Sequence, residues 1–155
     1  MKSKPLNILL ADDDKDDCLL FKEALKELPV SARLTTVHDG EQLLKRLTKK
    51  GNKLPDVIFL DLNMPRKNGF ATLAKIKLNK KTEWLPVIIF STSFEPHMVT
   101  QVFNDAAHYY IRKPAEFSQL KNVIQKALTL IAQKDISMPL KENFLLTGDL
   151  KTIPD

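Results

Sequence analysis

The sequence predicts an α/β protein: a parallel sheet with helices on both faces. Two observations carry this. Short, continuously apolar runs such as "ILLA", "VIFL" and "VIIF" alternate with amphipathic stretches along the chain, and strands alternating with helices join through right-handed crossovers into a parallel sheet. The apolar runs also lack a polar side, as expected of strands buried on both faces.

Each element follows from its residues. Leu6–Ala11 reads as a buried first strand, short and apolar throughout. Asp16–Leu28 reads as a helix, with Leu20, Phe21, Ala24, Leu25 and Leu28 at helical spacing and Pro29 as its stop. Ala32–Val37 is a second strand, and Gly40–Lys49 a second helix ending near Gly51. Residues 56–61, "DVIFLD", form a third strand rich in β-branched and aromatic side chains. The loop "NMPRKNG" is full of turn formers and leads into a helix from about Phe70 to Leu78. "PVIIFS", residues 86–91, is a fourth strand with proline at its tolerated first position. Glu95–Ala107 is a weaker helix, and "YYIR", residues 109–112, a fifth strand. Glu116–Lys134 is the clearest helix, with Phe117, Leu120, Val123, Ile124, Ala127, Leu128 and Ile131 on one face.

Composition bounds the function. The 155 residues make about one domain, with 43% hydrophobic and 28% charged residues, as in soluble globular proteins. Cys18 is the single cysteine, so no internal disulfide forms. The opening residues have too short an apolar run for a signal peptide, and no run reaches membrane-span length, which sets the expectation of a cytoplasmic protein without membrane contact. The net charge of +5 is spread over the chain without a long basic block or a helix-turn-helix, zinc or aromatic single-strand motif, so no direct nucleic-acid partner is expected.

The polar residues fall where such a sheet places ligands, beyond the carboxyl ends of its strands. Strand one ends at Asp12 and Asp13, strand three at Asp61 and strand four at Ser91, and strand five is followed by Lys113. Carboxylates brought together raise each other's pKa or demand a cation. All-oxygen ligation with few carboxylates and a phosphate nearby favours Mg²⁺. Lys113 supplies a point charge suited to a phosphoryl oxygen and Ser91 a hydroxyl donor, which together match the needs of phosphoryl transfer. Asp61 is the natural nucleophile, because a carboxylate accepts a phosphoryl group as an acyl phosphate.

The motifs "ADDD", "FLDLNMPRKNG", "FSTS" and "YYIRKP" occur in this order and together resemble the receiver domain of bacterial two-component response regulators, over about residues 5–134. The resemblance implies a flavodoxin-like, doubly wound (βα)5 fold with five parallel strands in the order 2-1-3-4-5. It implies that Asp61 is the phosphoacceptor, that Asp13 ligates Mg²⁺ directly with Asp12 acting through water, and that Asn63 lends its backbone carbonyl to the metal. Ser91 is then the switch hydroxyl, Lys113 the phosphate-pairing lysine and Tyr110 the aromatic rotamer switch. Asn63 and Ser93 sit where the family tunes phosphoryl lifetime, and Lys113-Pro114 matches its usual cis-proline position. The chain departs from the pattern at Ala106-Ala107, where a Gly-Ala pair is usual, and this implies a stiffer end to the fourth helix. Thr92 stands where alanine is common.

The remaining acids of "DDDKDD" have a plainer reading: Asp14 as helix cap, with Asp16 and Asp17 as first-turn acids favoured by the helix dipole. Cys18 reads as a small buried hydrophobe. His38, His97 and His108 read as surface or second-layer residues.

The expectation is therefore a single-domain response regulator, not an enzyme beyond its own phosphorylation and dephosphorylation. Its phosphoryl group would come from a sensor histidine kinase or phosphotransfer protein, and its output would be protein–protein contact with an unknown target. Residues 1–134 form the receiver and 135–155 a C-terminal extension too short for a DNA-binding effector. That extension is either a flexible terminus or, as expected here, a segment packed on its own domain or on a second subunit in a homodimer. A haloacid-dehalogenase-like phosphatase shares the nucleophile, Mg²⁺ and lysine, but wants an acid at position 63, where this chain has Asn63. A receiver acting as an unphosphorylated scaffold is disfavoured by the complete set of Asp13, Asp61, Ser91 and Lys113.

Overall fold

The computed structural model describes residues 4–64, 68–133 and 138–148. Residues 65–67 of the "NMPRKNG" loop, Lys134 at the end of the expected last helix, and most of the extension's two ends lie outside the described residues.

Five strands and five helices alternate: β1 (Leu6–Ala11), α1 (Lys15–Lys26), β2 (Ala32–Val37), α2 (Gly40–Thr48), β3 (Val57–Leu60), α3 (Gly69–Leu78), β4 (Val87–Ser91), α4 (Pro96–Asn104), β5 (Tyr109–Arg112) and α5 (Phe117–Ile131). Every strand pairing is parallel, and the order is β2-β1-β3-β4-β5, the flavodoxin-like arrangement. Side-chain alternation splits the core in two. Ile8, Leu10, Phe59 and Phe90 point to the face covered by α1 and α5, where Phe21 meets Phe59 and Phe90 edge-on at 4.9 and 5.5 Å. Leu9, Ala11, Ile58, Leu60 and Ile89 point to the face covered by α2, α3 and α4. Caps fix the helix starts: Asp14 accepts from the N–H groups of Asp16 and Asp17, Asp39 from Gln42, and Asn68 from Ala71.

Four features differ from the sequence reading. The sheet has a sixth strand: residues 145 and 146 of the extension, β6 (Leu145–Leu146), add in parallel to β5 at Tyr110 and Ile111. Phe144 anchors this segment, 1% exposed and edge-on to Phe103 at 5.1 Å and Tyr110 at 6.4 Å. Burying such a ring contributes about 1.5–3 kcal/mol. Gly148 then lies so close to the Gln119 backbone of α5 that a Cβ would overlap it. The extension therefore packs on its own domain through residues 144–148, although two residues of strand carry no periodicity to read.

Second, Leu20 is exposed, and Cys18 takes the buried place on α1, because the helix turns its Cys18–Phe21–Leu25 stripe to the sheet. Third, the Lys113–Pro114 peptide is trans, since no cis bond occurs among the described residues; the trans form is the favoured isomer even before proline. Fourth, α4 ends at Asn104 in a Schellman motif, with Ala106 N–H bonded to Phe103 O at 3.1 Å and Ala107 N–H to Val102 O at 3.0 Å. Ala106 takes the left-handed position, φ +70°, that glycine usually fills. The Gly-to-Ala departure thus strains this turn, where the sequence suggested a stiffer helix end.

Candidate functional site

The carboxyl ends of β1, β3, β4 and β5 converge as the sequence implied. Asp12 follows β1 and is fully buried; its backbone N–H bonds to Val37 O at 3.0 Å, which continues the β1–β2 ladder past the strand end. Asp61 follows β3, 5% exposed, and its N–H continues the ladder to Ala11 O. Two parallel ladders that each run one residue too far place these carboxyls side by side. Asp13, exposed on the β1–α1 turn, completes the group: one oxygen from each of Asp12, Asp13 and Asp61 lies within 4.8 Å of the others.

Gly69 is a supporting residue that the sequence showed only as a turn signal. Its N–H bonds to Leu62 O at 3.0 Å, and a Cβ there would overlap the carbonyl oxygen of Asp61 and the Cα of Leu62. The start of α3 therefore rests directly on the backbone that carries Asp61.

Lys113 closes the site from the β5–α5 loop, its N–H bonded to Ser91 O at 2.9 Å and its ammonium over the Phe90 ring, 5.4 Å from the centroid. The ammonium reaches Asp12 Oδ2 at 2.7 Å, Asp17 Oδ2 at 2.8 Å and Asp61 Oδ2 at 3.2 Å. Burial alone would lower the Lys113 pKa, but bonds to Asp12 and Asp17 and the Asp61 charge hold it above the ordinary lysine range. Burial pushes the Asp12 carboxyl up to about 6, with the Asp61 charge adding to the rise, while Lys113 and the Asp14 N–H oppose it. The all-oxygen donor set of Asp12, Asp13 and Asp61 suits a hard divalent cation.

Both oxygens of Asp12 are taken, Oδ1 by the Asp14 N–H at 3.0 Å and Oδ2 by Lys113. Asp61 Oδ1 accepts from the Asn63 N–H at 3.1 Å. From there a continuous chain of bonds runs outward. The Asn63 amide donates to Ser93 Oγ at 2.6 Å, the Ser93 N–H donates to Ser91 Oγ at 3.2 Å, and the Tyr110 hydroxyl donates to the Ser93 carbonyl. Tyr110 is fully buried, packed between Phe94 and Phe144, and its burial pushes the hydroxyl pKa up to about 12.

The structure thus brings together Asp12, Asp13, Asp61, Lys113, Ser91, Asn63, Ser93 and Tyr110. Asp14 caps α1 as expected, and Cys18 is buried. Asp17 lies in the first turn of α1 as expected and is also bonded to Lys113; its partner lies 96 residues away, and no local pattern announces it. His38 Nδ1 lies 3.1 Å from the Asp12 carbonyl, beneath the site. A separate cleft of about 170 Å³ at the amino ends of β1 and β2, lined by Arg33, Arg46 and Lys53 among others, contains none of the predicted residues.

An all-parallel sheet in this strand order, with acids and a lysine at its carboxyl edge, defines a flavodoxin-like α/β domain, and comparison with known proteins specifies its family. Residues 8–125 match the response regulator receiver domain model, and the chain belongs to that family. It is 31% identical over 125 residues to the response regulator Rcp1 of Synechocystis, covering 78% of this chain and 85% of that protein. It is 27% identical to a probable methanogenesis regulatory protein of Methanothrix harundinacea, covering 79% of this chain and 81% of that one. Among solved structures, the phosphorylated cyanobacterial phytochrome response regulator RcpA superposes with a TM-score of 0.78 at 30% identity, covering 88% of this chain and all of that one. The Mn²⁺-bound form of Rcp1 gives 0.76 at 28% identity with the same coverage. Receiver domains are signalling modules rather than turnover enzymes. No helix among the described residues is long and apolar enough to cross a membrane.

Proposed function

We propose that this chain is a stand-alone response regulator that takes a phosphoryl group on Asp61 from a phosphohistidine of a sensor histidine kinase or phosphotransfer protein. Residues 1–134 are the receiver, and 135–155 are an extension of it. The observation that carries the reading is the meeting of Asp12, Asp13 and Asp61 within 4.8 Å, with Lys113 bonded to two of the three.

In the transfer, an Asp61 oxygen forms the new bond to phosphorus, the phosphorus–nitrogen bond breaks, and the imidazole leaves with that electron pair. Asp13, Asp61 and the Asn63 carbonyl would hold Mg²⁺, with Asp12 acting on it through water. When bound, the ion neutralises phosphoryl charge. Lys113 offers the second positive charge from within the protein. Ser91, at the adjacent strand end, donates its hydroxyl to the phosphoryl group; its Oγ accepts from the Ser93 N–H and still has its own O–H to give. Asn63 and Ser93 face each other at the rim, and they set how readily water reaches the adduct.

The added charge biases a two-state equilibrium. The bonded route from Asp61 through Asn63 and Ser93 to Tyr110 leads to α4, β5 and the extension, and that face carries the output. The target is a protein, with neither nucleic acid nor membrane in direct contact; the setting is cytoplasmic, and a homodimer is compatible with this face.

Incubation with acetyl phosphate and Mg²⁺, read by intact mass, tests the assignment. The wild type gains one base-labile phosphoryl group and Asp61→Asn gains none. An adduct that survives the substitution places the acceptor elsewhere, and no adduct on either protein favours the scaffold reading.

A further inference from the structure

From the contacts of Lys113 we infer that Asp17 is a positioning residue: it holds the Lys113 ammonium in a resting place, and a phosphoryl group on Asp61 must draw the lysine away from it. The inference rests on the phosphoacceptor reading and adds a competitor to it.

The geometry separates the three partners of the lysine. An ammonium has three N–H donors, and here all three are used. The bonds to Asp12 and Asp17 are short, 2.7 and 2.8 Å, whereas the bond to the acceptor Asp61 is the longest at 3.2 Å. The amine thus stands toward the β1–α1 side of the pocket. Asp12 and Asp61 also belong to the carboxylate group that could hold a cation, and Asp17 does not. Asp17 is therefore the one carboxylate near Lys113 with no other duty in the site.

Nor is its side chain needed to start α1. Asp14 Oδ1 caps the helix by accepting from the N–H groups of both Asp16 and Asp17. With its backbone satisfied, Asp17 turns its carboxylate inward across the gap between α1 and the β5–α5 loop. Its side chain keeps 30% exposure, against 9% for Lys113 and 7% for Asp61, so it is the most hydrated of the interacting groups and the partner most readily released to water. The resting protein keeps a fully paired buried lysine, and phosphorylation exchanges one of its pairs.

Equilibrium binding of beryllofluoride with Mg²⁺, an acyl-phosphate mimic that needs no donor chemistry, tests this by calorimetry. Asp17→Asn keeps an acceptor oxygen and removes the charge. We expect it to bind beryllofluoride about fivefold tighter than wild type, the scale of one competing charge-assisted hydrogen bond in a partly screened setting. Asp17→Ala shifts the same way, which guards against a particular effect of the amide. In a Lys113→Met background the gain from Asp17→Asn shrinks markedly, because the effect acts through the lysine. Unchanged or weaker binding by Asp17→Asn overturns the proposal, as does an equal gain in both backgrounds, which would make Asp17 a general negative charge. A wild type that binds no beryllofluoride fails the phosphoacceptor reading itself, and this inference falls with it.

Discussion

Two lysines sit at opposite ends of the sheet, and their partners set them apart. Lys113, at the carboxyl ends of the strands, is held by three carboxylates, and its pKa lies above the ordinary range. Lys77, at the amino ends, donates to two neutral carbonyls, Leu85 O at 2.8 Å and Glu83 O at 3.1 Å, and burial lowers it to about 8 despite the Glu83 charge. Burial disfavours the charge at both places. What reverses the outcome is formal negative charge on the acceptor, which carbonyl dipoles do not match. Near Lys77 lies His108, 5% exposed, with no hydrogen-bond partner for Nδ1 among the described residues. Burial, and then the Lys77 charge, lowers it to about 4. One end of the sheet gathers charge for chemistry; the other suppresses it and serves packing.

The largest expected contrast comes from removing each lysine. Lys113→Met should slow phosphorylation by acetyl phosphate about a hundredfold, the scale for losing one preorganised donor at developing charge. Lys77→Met, with the same loss of a buried ammonium, should leave that rate unchanged. Equal effects at the two positions would erase the distinction between the ends.

A smaller effect separates the ends by pH. His108 takes up a proton near 4 when folded and near 6.5 when unfolded, so its contribution is fully present above 6.5 and is lost as pH falls toward 4. Asp12 has the opposite sign: its folded pKa is about 6 against 3.8 unfolded, so its contribution is present below 3.8 and lost as pH rises through 6. In metal-free urea melts at pH 7 and pH 4.5, His108→Gln should remove about 2 kcal/mol of acid destabilisation relative to wild type. Parallel pH profiles for the two proteins would place His108 outside the titrating set.

The smallest effect lies in the turn that leads to His108. Ala106→Gly relieves the left-handed strain at φ +70° and should stabilise by about 1 kcal/mol, raising Tm by about 2–4 °C. A lower Tm would mean that the lost methyl matters more than the backbone.

The strands and helices were legible because each carries its own period or apolar run, and the acceptor, acidic pair, serine and lysine because a parallel sheet sends strand ends to one edge. What stayed hidden depends on distant partners. Asp17 looks the same as a dipole-favoured acid until Lys113 arrives from the far end of the chain. β6 is two residues long and exists only because β5 offers an edge. Leu20 fits a helical stripe by spacing, but the sheet selects the stripe through Cys18 and Phe21 instead.

The added strand has a consequence for how this sheet could grow. An uncovered edge strand displays a row of free N–H and C=O groups on which another chain can template. β6 occupies that row at Tyr110 and Ile111, and leaves in its place an edge of only two residues. The long uncovered margin is then β2, six residues on the far side of the sheet. Strand-for-strand addition by another polypeptide is thereby steered to β2, away from the β5 side of the sheet.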